Sequence, residues 1–384
     1  MLLAACLASP AQAQLLPAQS LAPPSWPLGQ GELRLNAEAG GALSDPHQPG
    51  WQGVQASGML RLMPEFRRDY DSGLSLGLTS AVALADPLSR GRYDGDAIER
   101  LAGSLRTGLG KIEVGITDGA GYALAVTGPK VDPGVSLDDP RTSFYRDPVS
   151  HRAVTDMFAL RTPVGASSNY AKIVYTSPSL FGAQLALSFT PSEGKQLPFL
   201  NAGPHVPGRQ VEFWEAALRY ETEFGPVSLT AYGAVAEGRA EHKLPGQEGV
   251  SDLGTGLRAD YPLTEEIGLS LGGAYRQSNA YGFDVNQSWQ AGTTRIGHIS
   301  AAVTQGGWMA GLEYGNGVAD AVGGLPRLGL NGLEASIGYR VSDSIQLSAG
   351  WQHQTYSRGS LFNGAPQLKM DAIFLHLNLK TSEQ

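Results

Sequence analysis

The sequence predicts an all-β fold: a transmembrane antiparallel β-barrel, most simply of sixteen strands, with fourteen and eighteen as the neighbouring counts. Three observations carry this. Between Leu33 and Leu379 apolar residues alternate with small or polar ones in short runs, as in Gly182–Phe189 and Gly332–Arg340, with no helical stretch between them. The connections between runs are short and long in turn. Aromatic residues collect at the ends of the runs. A period of two puts alternate side chains on opposite faces of a strand. Repeated this often, it describes a sheet that is apolar outside and wet inside, and so points to a closed barrel in a membrane and to a pore.

Composition agrees. Glycine accounts for 50 of 384 residues, well above the usual share of about 7%. A hydrophobic fraction of 42% and a mean hydropathy of -0.15 look soluble, but a barrel's polar lumen face cancels its lipid face in any average. No run approaches the ~20 apolar residues of a membrane helix. A net charge of -8 argues against nucleic acid and against a basic surface-binding protein.

Residues 1–13 read as the end of a secretory signal: Leu2 to Ala8 is apolar and Ala11-Gln12-Ala13 fits a cleavage site. The charged leading region is missing, which implies a start further upstream. Cys6, the one cysteine, lies in this segment and is expected to be discarded, leaving a thiol-free chain suited to export. Residues 14–30, with Pro17, Pro23, Pro24 and Pro27, form an extended lead-in. The barrel then occupies 31–380. Its strands are expected near 31–41, 53–63, 73–84, 98–108, 111–118, 168–177, 182–190 and 210–220. The other eight lie near 226–236, 251–261, 267–276, 294–304, 307–315, 331–341, 344–354 and 369–379.

Tight connections such as Thr107–Gly110, Glu221–Gly225 and Ser342–Ser344 define one rim. Long ones at 85–97, 119–167, 191–209, 237–250, 277–293, 316–330 and 355–368 define the other. This asymmetry is that of outer-membrane barrels. On the apolar parity, Tyr175, Tyr220, Tyr261, Trp308 and Tyr339 fall near the short-turn rim. Phe189, Trp214, Tyr275, Tyr314 and Trp351 fall near the long-loop rim. Two aromatic girdles around an aliphatic band mark the membrane interfaces. The first five predicted strands carry no aromatic on that parity, only residues such as Leu33, Leu35, Ala37 and Ala39. Small and aliphatic faces suit protein-on-protein packing, so this sector is expected to face a second copy of the chain.

At this point the chain resembles the Gram-negative general porins of the proteobacterial sixteen-stranded type. The segment Lys111–Tyr122 is similar to the strand leading into their third loop, and Asn169–Gly182 to the following strand and turn. The resemblance covers essentially the whole mature chain. It implies a homotrimer of water-filled channels in the outer membrane of a Gram-negative bacterium, passing small hydrophilic solutes and ions by diffusion. It also implies that loop 119–167 folds into each barrel as a constriction. Expected partners are outer-membrane lipid and lipopolysaccharide, the solutes, and the insertion machinery. The chain departs from the family in lacking a terminal aromatic on Leu377-Asn378-Leu379, which leaves Phe374 or a weaker signal for insertion. Pro64-Glu65-Phe66 is read as a turn and not as a third-loop motif.

Loops longer than about 15 residues are uncommon unless functional. Loop 119–167 carries Asp132, Asp138, Asp139, Asp147 and Asp156 beside Lys130, Arg141, Arg146, Arg152 and Arg161. Of these, Asp138, Asp139, Asp147 and Asp156 are the expected acidic side of a constriction. The inward parity supplies an expected basic wall of Arg34, Arg61, Arg100, Arg106, Lys172, Arg219 and Arg258. Opposed linings would set up a field that orients polar solutes and penalises apolar ones.

Catalytic signals are weak. Gly73-Leu74-Ser75-Leu76-Gly77 matches G-x-S-x-G, but that motif needs a strand-to-helix elbow and sits here in a strand pattern. The seven histidines lack metal-ligand spacing. No catalytic residue, metal or cofactor is expected. The alternatives are a barrel serving as adhesin, receptor or anchor, or a barrel hydrolase.

Overall fold

The computed structural model describes residues 21–48, 53–85, 98–141, 144–145, 159–194, 207–282, 288–357 and 367–381. A short strand β1 (Ser25–Leu28) pairs with β2 (Gly31–His47). There follow β3 (Gln55–Asp69), β4 (Ser75–Ala85), β5 (Ile98–Thr107) and β6 (Gly110–Thr117). A one-turn helix α1 (Ala120–Ala123) opens the longest connection, which returns at β7 (Tyr170–Thr176). Next come β8 (Ala183–Ser192), β9 (Gln210–Phe224), β10 (Val227–Ala240), β11 (Ser251–Pro262) and β12 (Ile267–Tyr281). The last are β13 (Ser288–Gln305), β14 (Trp308–Ala319), β15 (Leu328–Ser342), β16 (Ile345–Ser357) and β17 (Gln367–Lys380). Strands β2 to β17 form a ring of sixteen antiparallel neighbours. It closes where β17 pairs β2, with Leu377 opposite Gly41 and Lys380 opposite Glu38. Among the described residues, closure gives each of the sixteen ring strands a neighbour on both sides.

Alternation produces the two faces. On β15, Leu333 and Ile337 are exposed on the outside, whereas Glu334 and Ser336 are buried inside. Tight turns at Gly225 and Gly306 need φ of +57° and +56°, a region that glycine enters without steric cost. All ten girdle aromatics lie on the outer face, and two pairs touch across strands. Phe189 and Trp214 have ring centroids 4.4 Å apart, and Trp308 and Tyr339 4.7 Å.

The sixteen expected strands are present, and four details differ. First, the lead-in contains β1, whose Trp26 pairs with Leu33. Second, Pro64-Glu65-Phe66 is no turn but lies within β3, with Pro64 opposite Leu35. Met63 and Pro64 have partners on β2 and none on β4, so proline's missing N–H falls where that ladder lapses. Third, Phe66 therefore joins the outward parity beside Leu33, and the early sector is not free of aromatics. Fourth, the expected long connection 277–293 is largely strand: β12 runs to Tyr281 and β13 starts at Ser288. The segment 1–20 lies outside the described residues.

The lumen is partly filled. Loop residues Val135, Leu137, Phe144, Tyr145 and Leu160 pack on inward-facing Leu330, Tyr356, Met370 and Phe374. Ala120, Leu124, Val126 and Val164 pack on Phe213, Tyr232, Val250 and Trp289. Phe374 is 2% exposed and stacks on Phe144 at 5.0 Å. It points into the barrel and does not present an outward aromatic at the chain's end.

Candidate functional site

The described residues of the connection between β6 and β7 lie inside the barrel and run along the wall formed by β9 to β17. Tyr232 donates its hydroxyl to Gly121 O at 2.5 Å. Gln346 Nε2 donates to Val131 O at 2.6 Å, and Gln352 Nε2 to Val135 O at 3.0 Å. Ser136 Oγ and Leu137 N donate to Glu313 Oε2 at 2.6 and 3.2 Å. Asp132 accepts from Gly134 N at 2.9 Å and from Ser348 Oγ, and meets His376 Nδ1 at 2.6 Å. Burial by itself would push the Asp132 carboxyl up; bonds from His376, Ser348 and Gly134 outweigh it and hold the group below its ordinary range.

Glycine makes room for this seating. A Cβ on Gly256 would lie 1.9 Å from Val126 O, and one on Gly315 2.2 Å from Leu160 Cδ1. Part of the chain's excess glycine therefore serves the close approach of a loop to a sheet.

On the other side of the lumen a gap separates the loop from much of the wall of β2 to β5. A cavity of about 550 Å³ lies between that wall and the loop, lined by Pro133, Gly134 and Arg141 from the loop. Asn36, Glu38, Glu65, Thr79 and Arg100 face it from that wall, and Lys380 from β17. Ion pairs extend from its charged lining along the wall as a ladder. Arg61 donates from Nη1 to Glu38 at 3.0 Å and from Nε to Glu99 at 2.6 Å. Arg141 of the loop pairs with the same Glu38. Arg100 reaches Glu113 at 2.5 Å and Asp118 at 3.9 Å, and Lys111 reaches Glu113 at 3.1 Å.

The expected division into an acidic loop and a basic wall is not what the described residues show. Asp138 is 0% exposed, accepting from Thr162 N at 2.8 Å and Thr162 Oγ1 at 2.9 Å, with Lys130 at 3.3 Å. It stabilises the loop from within and does not line the aperture. Asp139 bonds Tyr122 at 2.5 Å and Arg161 at 3.4 Å. Asp147 and Asp156 lie outside the described residues. Among the expected bases, Arg61 and Arg100 belong to the ladder. Arg34 pairs with Glu32 at 2.9 Å, Arg219 with Glu221, and Arg258 with Asp260 at 2.9 Å. Arg106 is exposed on β5, next to the short turn into β6. Lys172 points inward as expected but is 1% exposed, sealed at the root of the loop.

Several charged groups were not singled out from the sequence, among them Glu99, Arg276 and Asp252. Glu99 reaches the lumen because the β4–β5 register slips between Ala81 and Val82, and a bulge turns its side chain against the alternation. Arg276 and Asp252 form a buried ion pair, 1% and 0% exposed, with Arg276 also donating to Arg161 O at 3.4 Å. The inward parity of both was legible; their burial under the loop was not.

A family model described as Gram-negative porin matches residues 1–367. The chain belongs to the Gram-negative porin family. It is an outer-membrane channel for passive diffusion. Among solved structures, this porin is similar to the anion-selective porin of Comamonas acidovorans, with a TM-score of 0.58 and 12% identity over 91% of this chain and 99% of that one. It is similar to the outer membrane channel DcaP of Acinetobacter baumannii, with a TM-score of 0.57 and 12% identity over 94% and 100%. It also resembles the trimer form of OmpT, an outer membrane protein of Vibrio cholerae, at 0.56 and 12% over 91% and 99%. Such low identities show the shared fold. No curated protein matches the porin's sequence.

Proposed function

We propose that this porin is a homotrimer of weakly ion-selective channels whose aperture is the gap between loop residues Pro133, Gly134 and Arg141 and the wall of β2 to β5. The charge-lined cavity of about 550 Å³ at that place carries the reading. Glu38, Arg100 and Arg141 line it, and ion pairs continue from them to Arg61, Glu99, Glu113 and Lys111. A ladder of this kind favours hydrated polar solutes over apolar ones, which lose water and gain no partner. It gives no large preference for either ion sign. The channel does no covalent chemistry and uses no cofactor.

The outer face of β2 to β6 is assigned to the trimer contact, with Phe66 and Trp26 at its short-turn edge. The trimer form of OmpT from Vibrio cholerae supports the stoichiometry. Planar bilayer recording tests both parts. Openings are expected in threes, and Arg141→Gln, which leaves Glu38 with Arg61 alone, should move the reversal potential in a salt gradient towards cations. An unchanged reversal potential would remove Arg141 and Glu38 from the aperture.

A further inference from the structure

We propose that Lys172 and Glu215 act together as a clasp at the root of the constriction loop, positioning it and so setting the size limit of the pore. The inference rests on the aperture described above. Both residues face inward, on β7 and β9, and both are buried, at 1% and 3% exposure. Neither lines the cavity.

Each ties the start of the loop to its end. Lys172 Nζ donates to Thr117 O at 2.8 Å, the last residue of β6, and also to Ser167 O, just before β7. Glu215 accepts from Gly121 N at 3.1 Å near the start, and from Ser167 N at 3.1 Å and Ser167 Oγ at 2.6 Å near the end. The polarities are complementary: the ammonium takes carbonyls and the carboxylate takes N–H groups, both as charge-assisted bonds. Glu215 and Asp118 are the acidic neighbours of the Lys172 ammonium, and Arg100 is its basic one. Neutral bonds complete the closure, from Asn169 N to Thr117 O at 3.2 Å and from Ala120 N to Ser188 Oγ at 3.1 Å.

Gly119 is built for this contact. A Cβ there would lie 2.0 Å from Glu215 Oε2, so only a residue without one lets the carboxylate reach the loop's first turn. A long loop held only at its tip could still pivot about its ends. Fixing both ends to one buried charge pair removes that freedom, and a small rotation at the root would be magnified at Pro133 and Gly134. Removing one member leaves the other as an uncompensated buried charge, so each single neutral variant should disturb the loop more than the double one.

The test records conductance, open-channel noise and neutral-sugar size cut-off for reconstituted Glu215→Gln, Lys172→Met, the double variant, Lys172→Arg and Ser167→Ala. The expected result is a noisier open level and loss of the sharp size cut-off in both single neutral variants, with partial recovery in the double variant and in Lys172→Arg. A merely structural role would lower the heat stability of the assembly without moving the cut-off. Assembled single variants with parental noise and cut-off would overturn the clasp. Where Glu215→Gln does not assemble, Ser167→Ala decides: it keeps both charges and loses one bond to Glu215, and parental noise there overturns the proposal. Arg141→Gln run in parallel separates the two ideas, since its failure to move the reversal potential would refute the aperture itself.

Discussion

Replacing Gly256 by alanine adds one methyl group to the inner face of β11, where the loop main chain lies against the sheet. The new carbon would sit 1.9 Å from Val126 O and 2.9 Å from Val126 C, against a working floor of 3.0 Å for such contacts. Relieving the oxygen contact moves the loop main chain by at least about 1.1 Å, since both partners are backbone and neither can swing aside as a side chain would. Overpacking of this kind costs about 1–3 kcal/mol. The sheet is held by its ladders to β10 and β12, so the loop is the part that yields, and it can yield only away from the wall and towards the aperture. Gly256→Ala should therefore lower single-channel conductance in a planar bilayer. Gly297→Ala is the control, because a Cβ there meets nothing within 4 Å. Parental or raised conductance in Gly256→Ala, with the control normal, would refute the reasoning that the loop is seated against this glycine.

Other expectations follow from the two faces of the barrel and the loop's anchors. Leu271→Arg places a charge on the outer face, where Leu271 is 49% exposed, and should cost roughly 2–4 kcal/mol near mid-membrane, read as a lower unfolding temperature in detergent. Thr79→Arg, facing the water-lined cavity, should cost far less; equal losses would refute the parity. Ala39→Arg on β2 should dissociate the trimer in size-exclusion chromatography, and an intact trimer would move the contact elsewhere on the wall. Asp132 has a depressed carboxyl, so its contribution is complete above the ordinary carboxylate pKa of about 3.9 and is lost as pH falls through the lower folded value. Open-channel noise should rise as pH falls below about 4, and Asp132→Asn should abolish that increment.

Much of this molecule was legible in one dimension. The inward and outward sets could be read because a strand's period of two needs no knowledge of its partners, which is why Lys172 fell on the inner face and Trp308 on the outer one. Where the pattern misled, a local irregularity was responsible. Glu99 enters the lumen through a bulge that alternation cannot show. Pro64 suggested a break because proline usually ends a strand, yet here it sits beside a lapse in the ladder. Extending β3 past it then put Phe66 on an outer face expected to hold no aromatic.

The constriction was legible only as a charged loop of unusual length. Asp138 and Lys172 carry the right charge on the right element but face protein instead of water. Their burial depends on where the loop lies against strands far away in sequence.

The sequence by itself determined the barrel, its inside and outside, and its two unequal rims, because these follow from side-chain period and connection length, which are local properties. The tertiary structure alone decided which charges meet solute and which hold the loop. That choice depends on loop atoms approaching inward glycines and buried acids within a few ångströms, and contact at that range between distant segments leaves no periodic trace in the chain.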